Sequence, residues 1–541
     1  MRNWLVFLLA CYTARGSEQA IPEPFEPSDF DIAEALSAHN VDISRIRLWD
    51  DSFEFASSVD SQDLACQRAC TLLSTIYDSS SVLIPSNPLF QNTTSSFWSA
   101  QQAEAEPSCI FTPRKDADVS ILVLFSRLTS CPFAVTSGGH AAFTGASNID
   151  GGITVLLKEL NDISLNDDKS IVSVGAGTKW VSLYAALEPH GLAAVGARDS
   201  DLGVGGFLTG GGISFYSNLY GWGCDNIESF EVVTAKGTTI TASATSNPDL
   251  YWALRGGGNN FGIVTKFNLY TIPSPTMRGG TRTIAQSNFT NVVNAFINVA
   301  DQAPVDGKAQ QWVAFLQYEG HNLASVELAY TEDVENPAIF EEYRSIPAVS
   351  DTTKPKTMQQ YSKDVTVSSP PGLRQVYSHI TLQLNKELAD WVVEYFFSVR
   401  SQVSHVEGVM PVLVYHGLTI PMLKNMSRNG GNAIGLDASK GPLMIMQIPC
   451  WWMKASDDEV IYEFLDKFWE VVIDKAKSMG VYHRFTYMNY ASMFQDPIAS
   501  YGAENKARLL EIAAKYDPMG VFQTLQPGYF KLNGAPVWRR S

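Results

Sequence analysis

The chain has 541 residues, a formal net charge of −17 and 45% hydrophobic residues. This length and composition are typical of a globular protein with about two large domains, and they exclude a fibrous or disordered chain. The acidic balance disfavours nucleic acids and anionic membranes as partners, so a small-molecule partner is expected.

Residues 1–19 have the pattern of a secretory signal peptide. Arg2 precedes a short apolar run, Trp4 to Ala10, and small residues follow. A buried strand is the alternative interpretation of this run. No later stretch approaches the roughly 20 apolar residues that a membrane helix needs. We therefore expect a secreted protein without a membrane span.

Export would place the cysteines in an oxidising compartment. The four that crowd the N-terminal region could form two disulfides, and three pairings are possible: Cys66, Cys70, Cys109 and Cys131. A zinc site is the alternative, but it lacks a second matching pair and a histidine at ligand spacing, so no metal is predicted. Sequons that agree with export occur at Asn92, Asn288 and Asn425.

Residues 20–100 are predicted to be an N-terminal lead-in and the start of the first domain, which continues over residues 101–274. Apolar spacing predicts one helix over Asp116 to Leu128 and a second over Trp180 to Leu187. Strands are predicted at Phe133–Thr136, Ile153–Leu157, Ile171–Val174, Ile227–Val233, Thr239–Ala242 and Ile263–Tyr270.

The second predicted domain, residues 275–480, begins at a shift near Pro273 and Pro275. Val376 to Leu384 alternates like a strand, and an apolar stripe from Leu388 to Val399 predicts a helix. Ser456 and Glu459 have the spacing of a capping box that would open another helix. The C-terminal segment, residues 481–541, contains a further predicted helix at Ala503 to Tyr516.

Glycine clusters are the strongest signal of the first domain. They are Ser137-Gly-Gly-His140, Gly203-Val-Gly-Gly206 followed by Gly210-Gly-Gly212, and Gly256-Gly-Gly-Asn-Asn-Phe-Gly262. Glycine lets the backbone approach a ligand closely, and clustered N–H groups bind anions such as a pyrophosphate. None completes G-x-G-x-x-G, and no Walker motif is present. The pattern indicates a dinucleotide bound by another scheme.

Pro132 to His140 resembles the flavin-attachment segment of the vanillyl-alcohol oxidase superfamily. The agreement is best with berberine bridge enzyme-like oxidases, in particular fungal FAD-linked oxidoreductases of secondary metabolism. Further agreeing segments are Gly203–Ser214, Tyr220–Ile227, Trp252–Val264 and Tyr487-Met-Asn-Tyr490. The match runs from about residue 60 to 535 in the family's order.

The resemblance implies an α+β fold with a two-part, PCMH-type FAD-binding domain. The C-terminal segment would return to the flavin, and the substrate domain would be an antiparallel sheet backed by helices. It also implies FAD bonded covalently through His140. The other implied cofactor-binding residues are Ser137, Gly138, Gly139, Gly145, Gly203, Gly205, Gly206, Thr209, Gly210, Gly211, Ser214, Asp225, Ile263 and Asn489.

Some residues depart from the family pattern. Asp199 stands where some relatives have a cysteine with a second flavin bond, so one covalent link is expected. Cys224 is interpreted as a buried thiol. Ala142 replaces an aromatic residue of many plant members, which predicts a more open pocket.

The catalytic residues are expected to be Tyr487, Gln447 and Tyr490. Gln447 stands where berberine bridge enzyme has a glutamate that acts as the catalytic base. An amide cannot accept a proton at neutral pH. Tyr487 or Tyr490 is then the expected base, if a nearby cation lowers the phenol pKa.

The implied reaction moves a hydride from a small organic substrate to FAD, with O2 as the final acceptor. An extracellular carbohydrate oxidase is one alternative. A flavin-scaffold cyclase or ligand-binding protein without net oxidation is the other.

Overall fold

A computed structural model describes residues 25–27, 30–42 and 62–537. The predicted signal peptide at 1–19 lies outside these described residues. Within them, no helix combines the length and the apolar character needed to cross a membrane. Mixed helices and sheets confirm the predicted α+β class.

Residues 62–273 are called here the flavin half, because they carry the glycine clusters that predict flavin binding. This half contains two sheets. In the first, β2 (Cys109–Phe111) and β3 (Phe133–Thr136) pair in parallel with the central β4 (Ile153–Leu156), and helix α5 (Asp116–Thr129) connects β2 to β3. The second is antiparallel, in the order β5-β6-β10-β8-β9, with β7 added beside β10. The strands are β1 (Val82–Leu83), β2 (Cys109–Phe111), β3 (Phe133–Thr136), β4 (Ile153–Leu156), β5 (Ile163–Leu165), β6 (Ile171–Gly175), β7 (Leu192–Ala194), β8 (Ile227–Val233), β9 (Thr239–Ser243) and β10 (Ile263–Pro273).

A ten-stranded antiparallel sheet, called here the substrate sheet, follows in the chain. Its order is β14-β11-β13-β12-β18-β19-β16-β20, with β15 beside β11 and β17 beside β19. The strands are β11 (Met277–Ala285), β12 (Ala309–Tyr318), β13 (His321–Tyr330), β14 (Ser350–Asp351), β15 (Lys354–Lys356), β16 (Arg374–Gln383), β17 (Met410–Pro411), β18 (Leu413–Leu418), β19 (Leu443–Trp452) and β20 (Tyr482–His483).

Helices connect and cover these sheets. Those at Asp116, Trp180, Lys386 and Ala503 begin within two residues of the predicted positions. The helices are α1 (Ile32–Ala38), α2 (Gln62–Ile76), α3 (Pro88–Thr94), α4 (Ala100–Ala103), α5 (Asp116–Thr129), α6 (Trp180–Leu187), α7 (Val204–Thr209), α8 (Ser217–Tyr220), α9 (Pro248–Leu254), α10 (Phe289–Gln302), α11 (Glu341–Ser345), α12 (Met358–Thr366), α13 (Lys386–Val399), α14 (Ile420–Asn425), α15 (Asp458–Ser478), α16 (Pro497–Ser500), α17 (Ala503–Tyr516) and α18 (Val521–Thr524).

One local prediction is wrong. The expected capping box does not open α15, because a short turn at Ala455–Asp457 comes first. The helix begins at Asp458, with Asp457 rather than Ser456 in the N-cap position.

Alternation along the strands gives the substrate sheet two different faces. On β12, Val313 and Phe315 join a buried apolar core with α10, α13 and α15. Trp312, Ala314 and Leu316 point to the other face, which borders a cavity. Successive strand side chains point to opposite faces, so one strand serves both the core and the cavity.

Two disulfides secure α2 to the parallel sheet. Cys66 bonds to Cys131, just before β3, and Cys70 bonds to Cys109 at the start of β2. The structure therefore selects one of the three pairings that the sequence left open. Cys224 is free and buried, as predicted.

The segment around α4 joins the two halves. The Ala100 amide donates to the Leu373 carbonyl at 2.9 Å, and the Gly372 amide donates to the Trp98 carbonyl at 2.8 Å. The indole of Trp98 also donates to the Ser369 carbonyl. This part of the flavin half is therefore bonded directly to the segment that leads into β16.

Candidate active site

A cavity of about 530 Å³ lies between the flavin half and the substrate sheet. Its walls come from the three glycine clusters, from alternate residues of the sheet and from the 487–491 segment. β3 delivers the Ser137–His140 loop to this cavity, because the strand ends at Thr136 immediately before it. Motifs that are distant in sequence therefore meet around one space, as the sequence predicts.

Two glycine clusters touch through their backbones. A Cβ atom on Gly138 would lie 2.2 Å from the Gly203 nitrogen, and one on Gly203 would lie 2.2 Å from the Gly138 nitrogen. Ser137 reinforces this contact, since its hydroxyl donates to the Ala176 carbonyl and accepts from the Gly205 amide at 3.1 Å. Only glycine fits at 138 and 203, so these positions are set by backbone packing.

Most of the predicted site residues line this cavity. They are Ser137, Gly138, Gly139, His140, Gly203, Gly205, Gly206, Thr209, Ile263, Gln447, Tyr487, Asn489 and Tyr490. Five others lie outside its wall: Gly145, Gly210, Gly211, Ser214 and Asp225. Gly210 leaves room for Asn489, because a Cβ there would lie 1.9 Å from the Asn489 Oδ1. Asp225 is fully buried, accepts from the Trp222 amide and the Asn432 side chain, and contributes to local packing.

The His140 imidazole is held from two sides. Its ring stacks on Trp98, with centroids 3.9 Å apart and an interplanar angle of 17°. Its Nε2 lies 3.9 Å from the Asp199 Oδ2. Burial lowers the pKa of His140 below its ordinary value, and the Asp199 carboxylate opposes that shift. The ring is thus neutral at neutral pH, with its Nε2 towards a carboxylate.

Asp199 is itself held in place. Its Oδ1 accepts from the Thr366 hydroxyl at 2.7 Å and from the Asp201 amide at 2.9 Å. Those two bonds leave Oδ2 for His140. Position 199, for which the sequence predicts no covalent bond to the flavin, therefore carries a carboxylate that faces the histidine.

Tyr487 is 2% exposed, and its hydroxyl oxygen accepts three hydrogen bonds. The Tyr487 Oη accepts from the Gly212 amide at 2.9 Å, from the Asn489 side chain at 3.0 Å and from the Ile213 amide at 3.3 Å. Burial raises the pKa of Tyr487 well above its ordinary value. The cation that the sequence hypothesis required does not lie beside this phenol among the described residues.

Tyr490 does have a cation beside it. The Arg198 Nη2 donates to the Tyr490 Oη at 2.5 Å, and the guanidinium lies over the Trp312 ring at 4.7 Å. Among the described residues, no carboxylate lies within ion-pair distance of Arg198. Because the donor is a guanidinium, this is a charge-assisted hydrogen bond.

The same arginine connects to Gln447 through a histidine. The Arg198 Nη1 lies 3.5 Å from the His416 Nδ1, and the His416 Nε2 lies 3.2 Å from the Gln447 Oε1. Since a guanidinium only donates, Nδ1 accepts and Nε2 carries the hydrogen that Gln447 accepts. Burial and the Arg198 charge lower the pKa of His416 well below its usual value, which keeps this ring neutral.

Sequence reasoning missed four residues of the site: Trp98, Arg198, His379 and His416. His379, on β16, bonds to the backbone of both Tyr487 and Tyr490. None of the four lies in a recognisable motif. Arg198 directly precedes Asp199, a position that departs from the family pattern, and this adjacency is the one signal that the sequence offers.

The residues present fit FAD. Glycine residues of three loops line the cavity, and their lack of side chains lets a pyrophosphate approach the backbone N–H groups. A neutral His140 borders the same cavity, whose aromatic and apolar side chains suit a flat ring system. His140, the glycine loops and Asn489 would hold the cofactor.

Comparison with known proteins agrees with this geometry. The family described as FAD binding domain matches residues 107–243, and the family described as Berberine and berberine like matches residues 486–527. The FAD-dependent monooxygenase tpcD of Cochliobolus heterostrophus is 36% identical over 87% of this chain and 95% of its own length. The FAD-dependent monooxygenase FUP4 of Fusarium proliferatum is 35% identical over 81% of this chain and 87% of its own.

The fold also resembles solved structures. Glucooligosaccharide oxidase from Acremonium strictum superposes with a TM-score of 0.70 and 18% identity, over 88% of this chain and 100% of that one. Fold and site together define an FAD-dependent oxidoreductase. The chain belongs to the berberine bridge enzyme-like family, which confirms the resemblance drawn from the glycine clusters, His140 and the Tyr-x-Asn segment.

Proposed function

We propose that this protein oxidises a small organic molecule with FAD bonded covalently to His140, and that Tyr490 takes up the substrate proton. The observation that carries the proposal is the convergence of His140, Tyr490 and Gln447 on one cavity, with Arg198 against the Tyr490 hydroxyl. When bound, FAD supplies the acceptor for the hydride of a substrate C–H bond. O2 is the proposed final electron acceptor.

The neutral state of His140 supports the covalent bond. With the Nε2 towards Asp199, we expect the Nδ1 to be the atom that bonds to the flavin methyl group. Glucooligosaccharide oxidase is described with an 8α-N1-histidyl FAD and a 6-S-cysteinyl bond. Asp199 is not a nucleophile of that kind, so we expect one bond. Acid precipitation and protease digestion test it: yellow flavin should stay on the peptide that contains His140, and release of all flavin into the supernatant would refute it.

The side chains around Tyr490 suit proton removal from a hydroxyl. Arg198 donates a charge-assisted hydrogen bond to the Tyr490 oxygen, and Gln447 offers an amide for orienting the substrate. The cavity wall also contributes apolar side chains that suit an organic substrate, among them Trp312, Val414 and Trp451. An alcohol or phenol of a fungal secondary-metabolite type fits this arrangement.

Anaerobic bleaching of the flavin tests the proposed oxidation. Candidate alcohols, phenols and alkaloid-like compounds are added in turn while the visible absorbance is followed, and peroxide is measured after air is admitted. Bleaching followed by peroxide release supports an oxidase. Because tpcD and FUP4 are named monooxygenases, the product should also be checked by mass for an added oxygen atom. A flavin that no compound bleaches would refute net oxidation.

A carbohydrate oxidase is the second candidate. The similarity of fold to glucooligosaccharide oxidase favours it, as do the aromatic rings of Trp312, Tyr377 and Trp451 on the sheet side, which could stack on sugars. Oligosaccharides in the same bleaching assay separate the candidates, since only this one predicts reduction by cello- or xylo-oligosaccharides.

We also propose that the protein is exported. The two disulfides are compatible with an oxidising compartment, which agrees with the predicted signal peptide. Detection of the protein in the culture medium of a producing cell, with its N-terminus near residue 20, would support this. Retention with reduced cysteines would contradict it.

A further inference from the structure

His379 connects the substrate sheet to the turn that carries Tyr487 and Tyr490. It lies on β16, is 0% exposed, and is the cross-strand partner of Gln447 on β19. Cross-strand partners point to the same face of a sheet, so His379 and Gln447 share the face that borders the cavity. The 487–490 turn covers His379, and residues 487–491 form part of the cavity wall.

Both ring nitrogens of His379 are used. The Tyr487 amide donates to the Nε2 at 2.8 Å, so the Nε2 is an acceptor. The Nδ1 must then carry the hydrogen, which it donates to the Tyr490 carbonyl at 3.0 Å. Burial lowers the pKa of His379 to about 4, and this neutral tautomer is the one that satisfies both bonds.

Residue 379 also holds the segment after the turn. The Gln495 side chain donates to the His379 carbonyl at 2.7 Å, and its oxygen accepts from the Ser492 amide at 3.1 Å. Residues 487–495 are thus attached to a single position of β16, on both its side chain and its backbone. Residues 487 and 490, which His379 bonds, are the two ends of the turn.

We propose that His379 is a positioning residue, which fixes the 487–490 turn against the substrate sheet and thereby sets where the Tyr490 hydroxyl stands relative to Gln447. The inference deepens the proposed function and rests on it. Arg198 reaches Tyr490 from the flavin half, whereas His379 fixes its backbone from the sheet. The two contacts together define one position for the phenol.

Three substitutions separate the two bonds. His379→Asn keeps an amide near the Nδ1 position and loses the acceptor for Tyr487. His379→Gln keeps an acceptor near the Nε2 position and loses the donor to Tyr490. His379→Leu loses both. Thr381→Val is the matched control, because Thr381 lies two residues along the same strand, is 0% exposed, and has a hydroxyl without a hydrogen-bond partner.

Amide hydrogen exchange of the holoenzyme measures the positioning directly. In the His379→Leu protein, the peptide that covers residues 485–492 should exchange at least roughly fivefold faster than in the wild type. His379→Asn and His379→Gln should lie between, and Thr381→Val should match the wild type. Exchange at the wild-type rate in all three His379 variants overturns the proposal, and the Asn and Gln variants decide it if the Leu variant does not fold.

Stopped-flow reduction of the flavin measures the consequence for the reaction, with the compound that bleaches the wild-type flavin in the screen above. A small misplacement of a catalytic group costs rate, so the limiting rate should fall roughly 10- to 100-fold in His379→Leu. The apparent dissociation constant should change less than about threefold, because the sheet residues that contact the substrate remain. An unchanged limiting rate overturns the catalytic part. If no compound bleaches the wild-type flavin, the oxidase proposal fails while the exchange experiment still decides the positioning.

Discussion

The flavin half and the substrate sheet build their sides of the cavity with different parts of the chain. The flavin half uses backbone: Gly138 and Gly203 are in contact, and the space for a Cβ is filled. The substrate sheet uses every second side chain of β12, β18 and β19, as in Trp312, His416 and Gln447. Backbone contacts demand glycine at fixed positions and leave a readable motif. A strand that lines the cavity with alternate side chains requires only that each inward-facing side chain suit the cavity. This requirement leaves no recognisable sequence motif.

The largest effect is expected from one methyl group added at the backbone contact of the flavin half. In Gly203→Ala the new Cβ would meet the Gly138 backbone at 2.2 Å, where nothing flexible can move aside. We expect protein that is insoluble or carries no flavin, measured as the ratio of flavin to protein absorbance. Gly307→Ala is the control, because its nearest neighbour is the end of the Leu219 side chain at 3.3 Å. Normal flavin content in Gly203→Ala would show that the contact between the Gly138 and Gly203 backbones is not required for flavin binding.

On the sheet side, removal of a functional group should reduce rate and spare the flavin. Tyr490→Phe should lower the rate of flavin reduction about 10²- to 10⁴-fold, the usual contribution of general base catalysis, with covalent flavin unchanged. Tyr487→Phe leaves three N–H donors without their acceptor and should instead cost about 1–3 kcal/mol of stability. Thermal unfolding and stopped-flow reduction of both variants distinguish these roles. A larger rate loss in Tyr487→Phe would reverse the assignment.

Asp199 lies where the two regions meet. Thr366 of α12 donates a hydrogen bond to one of its oxygens, and the other oxygen faces His140. Asp199→Asn removes the negative charge and keeps the shape. We expect covalent attachment of FAD to apoprotein to slow roughly tenfold, an order of magnitude typical of one electrostatic contact. Acid-precipitable flavin is followed with time. Asp333→Asn, which alters a half-exposed ion pair with Arg278 beside the substrate sheet, should attach flavin at the wild-type rate. Equal rates in the two variants would remove Asp199 from the attachment step.

The smallest expected effect is on acid stability. His379 has its pKa lowered to about 4 in the folded protein, whereas the unfolded chain has the ordinary value near 6.5. The unfolded state therefore binds more protons between these values, and stability is lost as the pH falls through that window. At pH 6 the loss relative to pH 7.5 should be about 1 kcal/mol from this residue. Urea unfolding at both values measures it, and His379→Leu should lose less than the wild type by that amount. An identical loss in both proteins would contradict the buried neutral state.

The sequence predicted the parts of the fold that local chemistry decides. Periodicity located α5, α6 and β3 within a residue or two, and the glycine clusters located the cofactor region. It could not predict the pairing of Cys66 with Cys131, because proximity of cysteines in sequence leaves three arrangements equal. It also missed Arg198 and His416, which contact each other although they lie 218 residues apart in the chain. Such contacts are set by how two halves meet, and no local pattern encodes that meeting.

The attachment of Trp98 to residues 369–373 has a practical consequence. The ring that stacks on His140 is contributed by a segment whose hydrogen bonds reach across to the other half of the protein. A fragment cut near residue 274 would keep every glycine motif and still lose the partners that hold this indole. We therefore expect such a fragment to be unsuitable for studying flavin attachment, although it contains all the glycine motifs.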